Sequence, residues 1–225
     1  GFIVDFAKAA PDPRNPNPVK GLFGEVSWFT MPAWEKPAFL ADAEPARQGR
    51  LESFEWESKV REGQKRTASV YLPADYDPKG ARRYPVLYVH DGKKALDEGG
   101  MKNALDQLIG RTVQPLIAVF IVPGGENPDR ELGDVEKQTE MVVTELVPKI
   151  DENYPTIPQP FARGAAGAAG GAEAALFGVL KHPEIFGRLG SQSATMMQAA
   201  EFAPLISGAE EHPLAIYLEW GTYHL

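Results

Sequence analysis

Residues 163–175 read RGAAGAAGGAEAA, thirteen positions in which nothing between Arg163 and Glu173 is larger than alanine. A stretch so poor in side chains is of use where backbone must approach backbone, or where a residue must adopt positive φ. A weak strand over 161–166 precedes it. A helix follows from Ala172, with Ala172, Ala175, Leu176, Val179 and Leu180 on one stripe until His182-Pro183 ends it. A strand that turns through glycine into a helix is the repeating unit of an α/β sheet. TASVYL at 67–72, PVLYVH at 85–90 and LAIYLE at 214–219 read as further strands bounded by turn residues. The unbroken apolar run LIAVFIV at 116–122 suits a strand buried on both faces of a mostly parallel sheet. Residues 106–109 belong to a short helix. Residues 133–153 form a longer one, with Val143, Leu146, Val147 and Ile150 at i, i+3, i+4 and i+7. The fold expected is a doubly wound, mostly parallel sheet in three α/β/α layers, without internal repeats.

The first fifty residues differ in texture. Pro11, Pro13, Pro16, Pro18, Pro32, Pro37 and Pro45 interrupt regular elements, yet Phe23, Val26, Trp28, Phe29, Met31, Trp34 and Phe39 are too apolar for a free linker. Residues 1–50 therefore read as a Pro-rich arm or linker lying across a domain surface, and 51–225 as the α/β domain. At 225 residues with 43% hydrophobic and 10% aromatic content, the chain has the material for one large core, and disorder, collagen and coiled coil are excluded. Without cysteine, thiolate zinc sites, disulfides and cysteine nucleophiles are excluded too. A net charge of −8 with no basic stripe argues against a nucleic-acid partner. The run at 116–122 falls far short of the roughly 20 residues of a spanning helix, so the chain is not expected to span a membrane. No His/Asp/Glu set has metal-ligand spacing. The start at Gly1 carries no signal-peptide pattern, and localisation stays open.

Two functional readings compete for the glycine corner. Gly164, Gly167 and Gly170 are spaced GxxGxxG, as in a dinucleotide fingerprint, but that loop normally follows the first strand of a sheet, three strands precede the corner here, and no acidic residue closes a strand about 20 residues on. The alternative is the G-x-S-x-G nucleophile turn, in which a strained corner lifts a serine above the sheet. Gly167, Ala168, Ala169, Gly170 and Gly171 match that frame except that Ala169 stands where the serine belongs. A methyl group cannot attack a carbonyl carbon.

Other segments share this second pattern. His182-Pro183-Glu184-Ile185-Phe186-Gly187 follows the helix, Ser191-Gln192-Ser193 ends a strand, and Asp91-Gly92 follows a buried one. Arg130-Glu131-Leu132 precedes the long helix, and the run from Asp151 to Tyr154 reads DENY. In these segments the chain resembles the putative-esterase family of α/β-hydrolases, most of all enterochelin (ferric-enterobactin) esterase-like proteins, over nearly its whole length. Asp12-Pro13-Arg14-Asn15-Pro16 and Met31-Pro32 resemble the segment that joins an upstream β-sandwich to the hydrolase domain in that family.

The resemblance implies an α/β-hydrolase fold and no cofactor. It places oxyanion donors at the backbone N–H groups near Gly92 or Lys93 and at Gly170. It places His224, three residues after Gly221, at the position of the triad acid, whose orienting role an imidazole does not fill in the usual way. The triad histidine would lie beyond Leu225, with a C-terminal part of the domain. Localisation would be bacterial cytoplasm or periplasm.

Several residues keep two readings. His90 ends a strand beside the oxyanion loop and is structural or lines the cleft. Arg130 attracts anions near the substrate mouth or makes an ordinary salt bridge. His182 is a helix-stop residue and His212 a surface one. Ser191 and Ser193 are structural. Glu52, Glu55, Glu57 and Glu62 form a solvated face. The expected function is a catalytically degenerate esterase-like domain with a binding, scaffolding or assembly role. It would engage a protein partner or larger assembly, or a small ester or siderophore-like ligand. The alternative is an active serine carboxylesterase, for siderophore or acyl-sugar esters, with its nucleophile changed to Ala169; a dinucleotide-binding protein is the minor alternative.

Overall fold

The computed structural model describes residues 2–4, 8–15, 17–21, 24–124, 131–132, 134–194, 199–207 and 213–221. It divides into two compact units, Gly1–Ala38 and Phe39–Leu225.

The first unit holds two short antiparallel pairs, β1 (Phe2–Val4) with β2 (Lys8–Ala10) and β3 (Pro18–Gly21) with β4 (Gly24–Ser27). The prolines do not keep this segment free of regular structure. Pro11 and Pro13 fall in the connection after β2 and Pro18 is the first residue of β3, where its missing N–H breaks no ladder. Asp12 N–H donates to Ser27 Oγ at 2.6 Å and Trp28 N–H to Asn17 O at 3.1 Å, which ties the turn to β4.

The second unit is built on one seven-stranded sheet. Its strands are β5 (Arg50–Ser58), β6 (Gln64–Leu72), β7 (Val86–Val89), β8 (Ile117–Val122), β9 (Arg163–Ala168), β10 (Arg188–Gln192) and β11 (Ala215–Glu219). They lie in the order β11-β10-β9-β7-β8-β6-β5. The hairpin β5–β6 and the pair β6–β8 are antiparallel, and the remaining pairs are parallel. The apolar run of β8 works as expected. Ile117, Val119 and Ile121 pack into the larger core with Met141, Leu146 and Ile150, while Ala118 and Phe120 pack on the opposite face with Val89 and Leu105. In β5 the outward Glu55 and Glu57 alternate with the inward, better-buried Phe54, Trp56 and Ser58, as a one-sided edge strand requires.

The helices that flank the sheet include, among the described residues, α1 (Gly92–Asp97), α2 (Met101–Leu108), α3 (Val135–Met141), α4 (Val147–Asn153), α5 (Gly170–Lys181) and α6 (Ala199–Ser207). The long helix expected over 133–153 is α3 and α4 joined by a π turn, Val142–Leu146. Pro148 accounts for the wide turn: it has no N–H to give to Thr144 O, and its ring displaces that carbonyl. The helix starts at Val135, where Asp134 Oδ1 accepts from Lys137 N–H at 3.2 Å. The strand before the glycine corner begins at Arg163, because Pro160–Ala162 forms a 3-10 turn. Residues after Phe39 join the sheet unit through Arg47 Nη2 on Ile109 O at 3.0 Å and Gly49 N–H on Asp106 Oδ1 at 2.8 Å.

Candidate functional site

The chain order crosses over between two adjacent parallel strands. From β7 the chain goes to β8 on one side, and β9 on the other side leads on to β10 and β11. A crevice at the carboxyl ends of strands, where the order switches, is where ligands bind in sheets of this kind. His90-Asp91 follows β7 and Ala169 follows β9, so the topology brings these segments together there. His90 N–H extends the ladder with a 2.8 Å bond to Ala166 O.

The corner after β9 is tight. A Cβ on Gly167 would stand 2.3 Å from the carbonyl carbon of Gly171, so only glycine lets the strand and the first turn of α5 touch. Ala169 sits at φ +51°, ψ −122°, a backbone conformation that costs a non-glycine residue about 1–3 kcal/mol. Its carbonyl accepts from Ala172 N–H at 3.0 Å and Glu173 N–H at 3.2 Å, and the N–H groups of Gly170 and Gly171 are left without intrahelical partners at the positive end of α5. Gly164 and Gly167 lie inside β9 instead of a phosphate-cradling loop, which removes the structural basis of the dinucleotide reading.

A cavity of about 630 Å³ opens beside this corner. Its wall includes Ala169, His90, Asp91, Lys94, Ser191 and Gln192, together with Phe39, Leu40, Met101 and Tyr217. Gly92, Lys93 and Gly170 are not part of that wall. Gly92 is buried where a Cβ would meet the Phe120 backbone at 2.5 Å, and Asp91 before it takes φ +51°. The Lys93 side chain is exposed and pairs with Asp97 one turn on. Among the described residues, a Cβ on Gly170 would find only Leu132 within 4 Å.

His90 is 4% exposed, and its Nδ1 has no hydrogen-bond partner among the described residues. Burial lowers its pKa to about 4, so the ring is neutral at neutral pH. It both packs in the interior and lines the cavity. His182 ends α5, its N–H on Gly178 O at 3.0 Å and its Nδ1 2.9 Å from Glu184. Ser191 is buried on β10, and Ser193 takes φ +50°. Arg130, His212 and His224 lie outside the described residues. The neighbour of Arg130 is well placed: Glu131 accepts from Arg66 Nη1 at 2.9 Å, pairs with Arg66 Nη2 and accepts from Gly124 N–H at 2.8 Å. Sequence reasoning missed the buried Arg66–Glu131 pair, and it missed Phe39, Glu98, Met101, Tyr217 and Glu219 of the cavity wall, which come from distant segments with no local motif. No group of residues able to hold a metal ion, and no helix long and apolar enough to cross a membrane, occurs among the described residues.

The family profile described as "Putative esterase" matches residues 60–213. The chain belongs to this esterase family. An endo-1,4-beta-xylanase/feruloyl esterase of Xylanibacter ruminicola is 31% identical over 186 residues, 75% of this chain and 25% of that protein. Enterochelin esterase of Shigella flexneri superposes with a TM-score of 0.75 at 24% identity, over 94% of this chain and 56% of that one. A serine-to-alanine mutant of the feruloyl esterase module of Clostridium thermocellum, complexed with sinapinate, superposes with a TM-score of 0.64 at 19% identity, over 84% of this chain and 71% of that one. This chain thus spans a quarter of the xylanase/feruloyl esterase and about half of the enterochelin esterase. The fold is the mostly parallel α/β-hydrolase sheet, and the domain resembles enterochelin and feruloyl esterases.

Proposed function

We propose that this domain is a catalytically degenerate member of its family, which binds a ligand or partner at the former ester site and does not hydrolyse it. The observation that carries this reading is Ala169, a methyl group at the strained corner between β9 and α5. Ester cleavage there needs an oxygen nucleophile and a base within hydrogen-bond reach. Among the described residues His90 is the one histidine of the cavity wall; it is buried and neutral, and its Nδ1 has no hydrogen-bond partner among them. A ligand carbonyl can still be held. The N–H of Gly170 at the start of α5, with an N–H near Gly92 or Lys93, would receive its oxygen as an oxyanion hole does. His224, at the position of the triad acid, would make the loss double.

A second reading keeps an active carboxylesterase, for siderophore or acyl-sugar esters, altered only at Ala169. The retained φ of +51° favours it, since alanine has no need of that conformation. Turnover of a p-nitrophenyl ester by the chain and by Ala169→Ser separates the two. The degenerate reading expects no turnover by either protein. Hydrolysis restored in the serine variant would overturn it in favour of the second.

A further inference from the structure

Phe39 and Leu40 reach the cavity wall from a strap, residues 39–49, that runs along α2 and is fastened to it in two different ways. Its far end is anchored. Arg47 Nη2 donates to Gln107 O at 3.3 Å and Ile109 O at 3.0 Å, and Gly49 N–H donates to Asp106 Oδ1 at 2.8 Å. Asp106 is buried and accepts from Tyr71 O–H at 2.9 Å as well. A Cβ on Gly49 would stand 2.5 Å from Leu72 O, so the chain is pressed onto the sheet at that point. The near end is held by side-chain amides. Asn103 Nδ2 donates to Leu40 O at 3.2 Å and to Asp42 Oδ1 at 3.1 Å. Gln107 Nε2, one turn further along α2, donates to Ala41 O at 3.3 Å and to Asp42 O at 3.1 Å. Among the described residues, the backbone of 39–43 bonds to no strand and to no backbone group of α2.

These two fastenings differ in strength for a physical reason. The bonds of Asn103 and Gln107 are partly exposed and neutral, so water replaces them at small net cost, whereas the bonds to the buried Asp106 carboxylate are charge-assisted and shielded. Phe39, Ala41 and Asp42 are exposed, and only Leu40 and Ala43 of the near end are covered. Local opening starts where bonds are solvent-exposed and buried contacts few. We propose that residues 39–43 are a gate on the cavity, which swings away from α2 about the anchor at Arg47 and Gly49 when the amides of Asn103 and Gln107 let go. Closed, the strap lays Leu40 against Gly100, where a Cβ would stand 3.1 Å from Leu40 Cδ2, and completes the wall with Phe39. Open, it removes that part of the wall. Asn103 and Gln107 are positioning residues: they touch the strap and set how often the cavity is accessible. The gate regulates the site to which a binding role is assigned above, and its significance rests on that reading.

The chain has no cysteine, so a single introduced thiol reports on its own position. Ala43→Cys puts one under the strap, and Ala166→Cys puts one in the cavity wall on β9, away from the amides. The rate of labelling by a fluorescein maleimide is measured for each, with and without Asn103→Ala/Gln107→Ala. Both thiols should react more slowly than a free thiol, and about tenfold faster once the amides are removed. The urea midpoint should stay where it was, and the rates should be nearly independent of urea below the unfolding transition, because local opening exposes little surface. Rates unchanged by the double substitution, or rising with urea at the slope of global unfolding, would overturn the proposal. So would a thiol at 166 that reacts at the free-thiol rate in the otherwise native chain, or one that fails to accelerate while the thiol at 43 does. If Ala43→Cys destabilises the chain, the thiol at 166 decides alone. Ester hydrolysis by the chain would remove the degenerate reading and leave these rates as they are, so the two failures are told apart.

Discussion

Glu145 joins the π turn to the first hairpin of the sheet, and its removal should loosen both. Its Oε1 accepts from Lys59 N–H at 2.7 Å and Val60 N–H at 3.0 Å, and its Oε2 accepts from the indole Nε1 of Trp56 at 3.2 Å. Lys59 N–H is exposed and can turn to water. Trp56 is only 6% exposed and Val60 is half-buried, so their donors lose a partner outright in Glu145→Ala. Bonds to an ionised group contribute about 1.5–3 kcal/mol where water does not replace them. Two such losses, reduced for the partial exposure of the site, come to about 2–4 kcal/mol. At about 2–4 °C per kcal/mol for a chain of this size, the melting temperature should fall by about 4–16 °C. Burial pushes the Glu145 carboxyl up, but the bonds from Val60, Ser58, Trp56 and Lys59 together outweigh it and hold the pKa below the ordinary glutamate value. A carboxyl depressed in the folded state contributes its full stability above its unfolded pKa, about 4.3, and loses it as pH falls through the folded value. Urea unfolding followed by tryptophan fluorescence, for the native chain and Glu145→Gln, should show a gap that is constant from pH 8 to about 5 and shrinks below about pH 4. A gap under about 0.5 kcal/mol at pH 7, or one that persists in acid, would refute the clamp.

Two further outcomes follow from buried groups. Glu131→Ala strands the Arg66 guanidinium, whose side chain is 1% exposed, and should cost about 3–5 kcal/mol in urea unfolding; a loss below about 1 kcal/mol would show that water or another carboxylate replaces Glu131. His90, with its pKa lowered to about 4 by burial, binds a proton more readily unfolded than folded between pH 6.5 and 4, so stability should fall as pH drops through that window. The fall should be absent in His90→Gln, and imidazole NMR shifts that titrate near pH 6.5 in the folded chain would contradict it.

How far the sequence reveals the site depends on how local each constraint is. The glycine corner could be read because its requirement is written in consecutive residues: Gly167 and Gly171 must touch, and Ala169 must turn through positive φ between them. The strand β8 could be read because burial on both faces demands apolar residues at every position. The prolines of residues 1–50 misled because a proline at a strand's first residue or in a turn breaks no ladder, and composition does not distinguish those places from a strand interior. Helix α1 was missed for the reverse reason: GKKALD has six residues and no caps, and it is held by Gly92 pressing against the Phe120 backbone. The cavity is the extreme case. Its chemistry comes from Phe39, from Glu98 at the end of α1, and from Tyr217 and Glu219 on β11. These residues come together only because β9, β10 and β11 stack on one side of β7, with β8 on the other. Motif reading therefore finds what the family shares, the corner and the loops around it. The cavity wall is made of side chains that sheet order alone brings together, and it could be recognised only once that order was known.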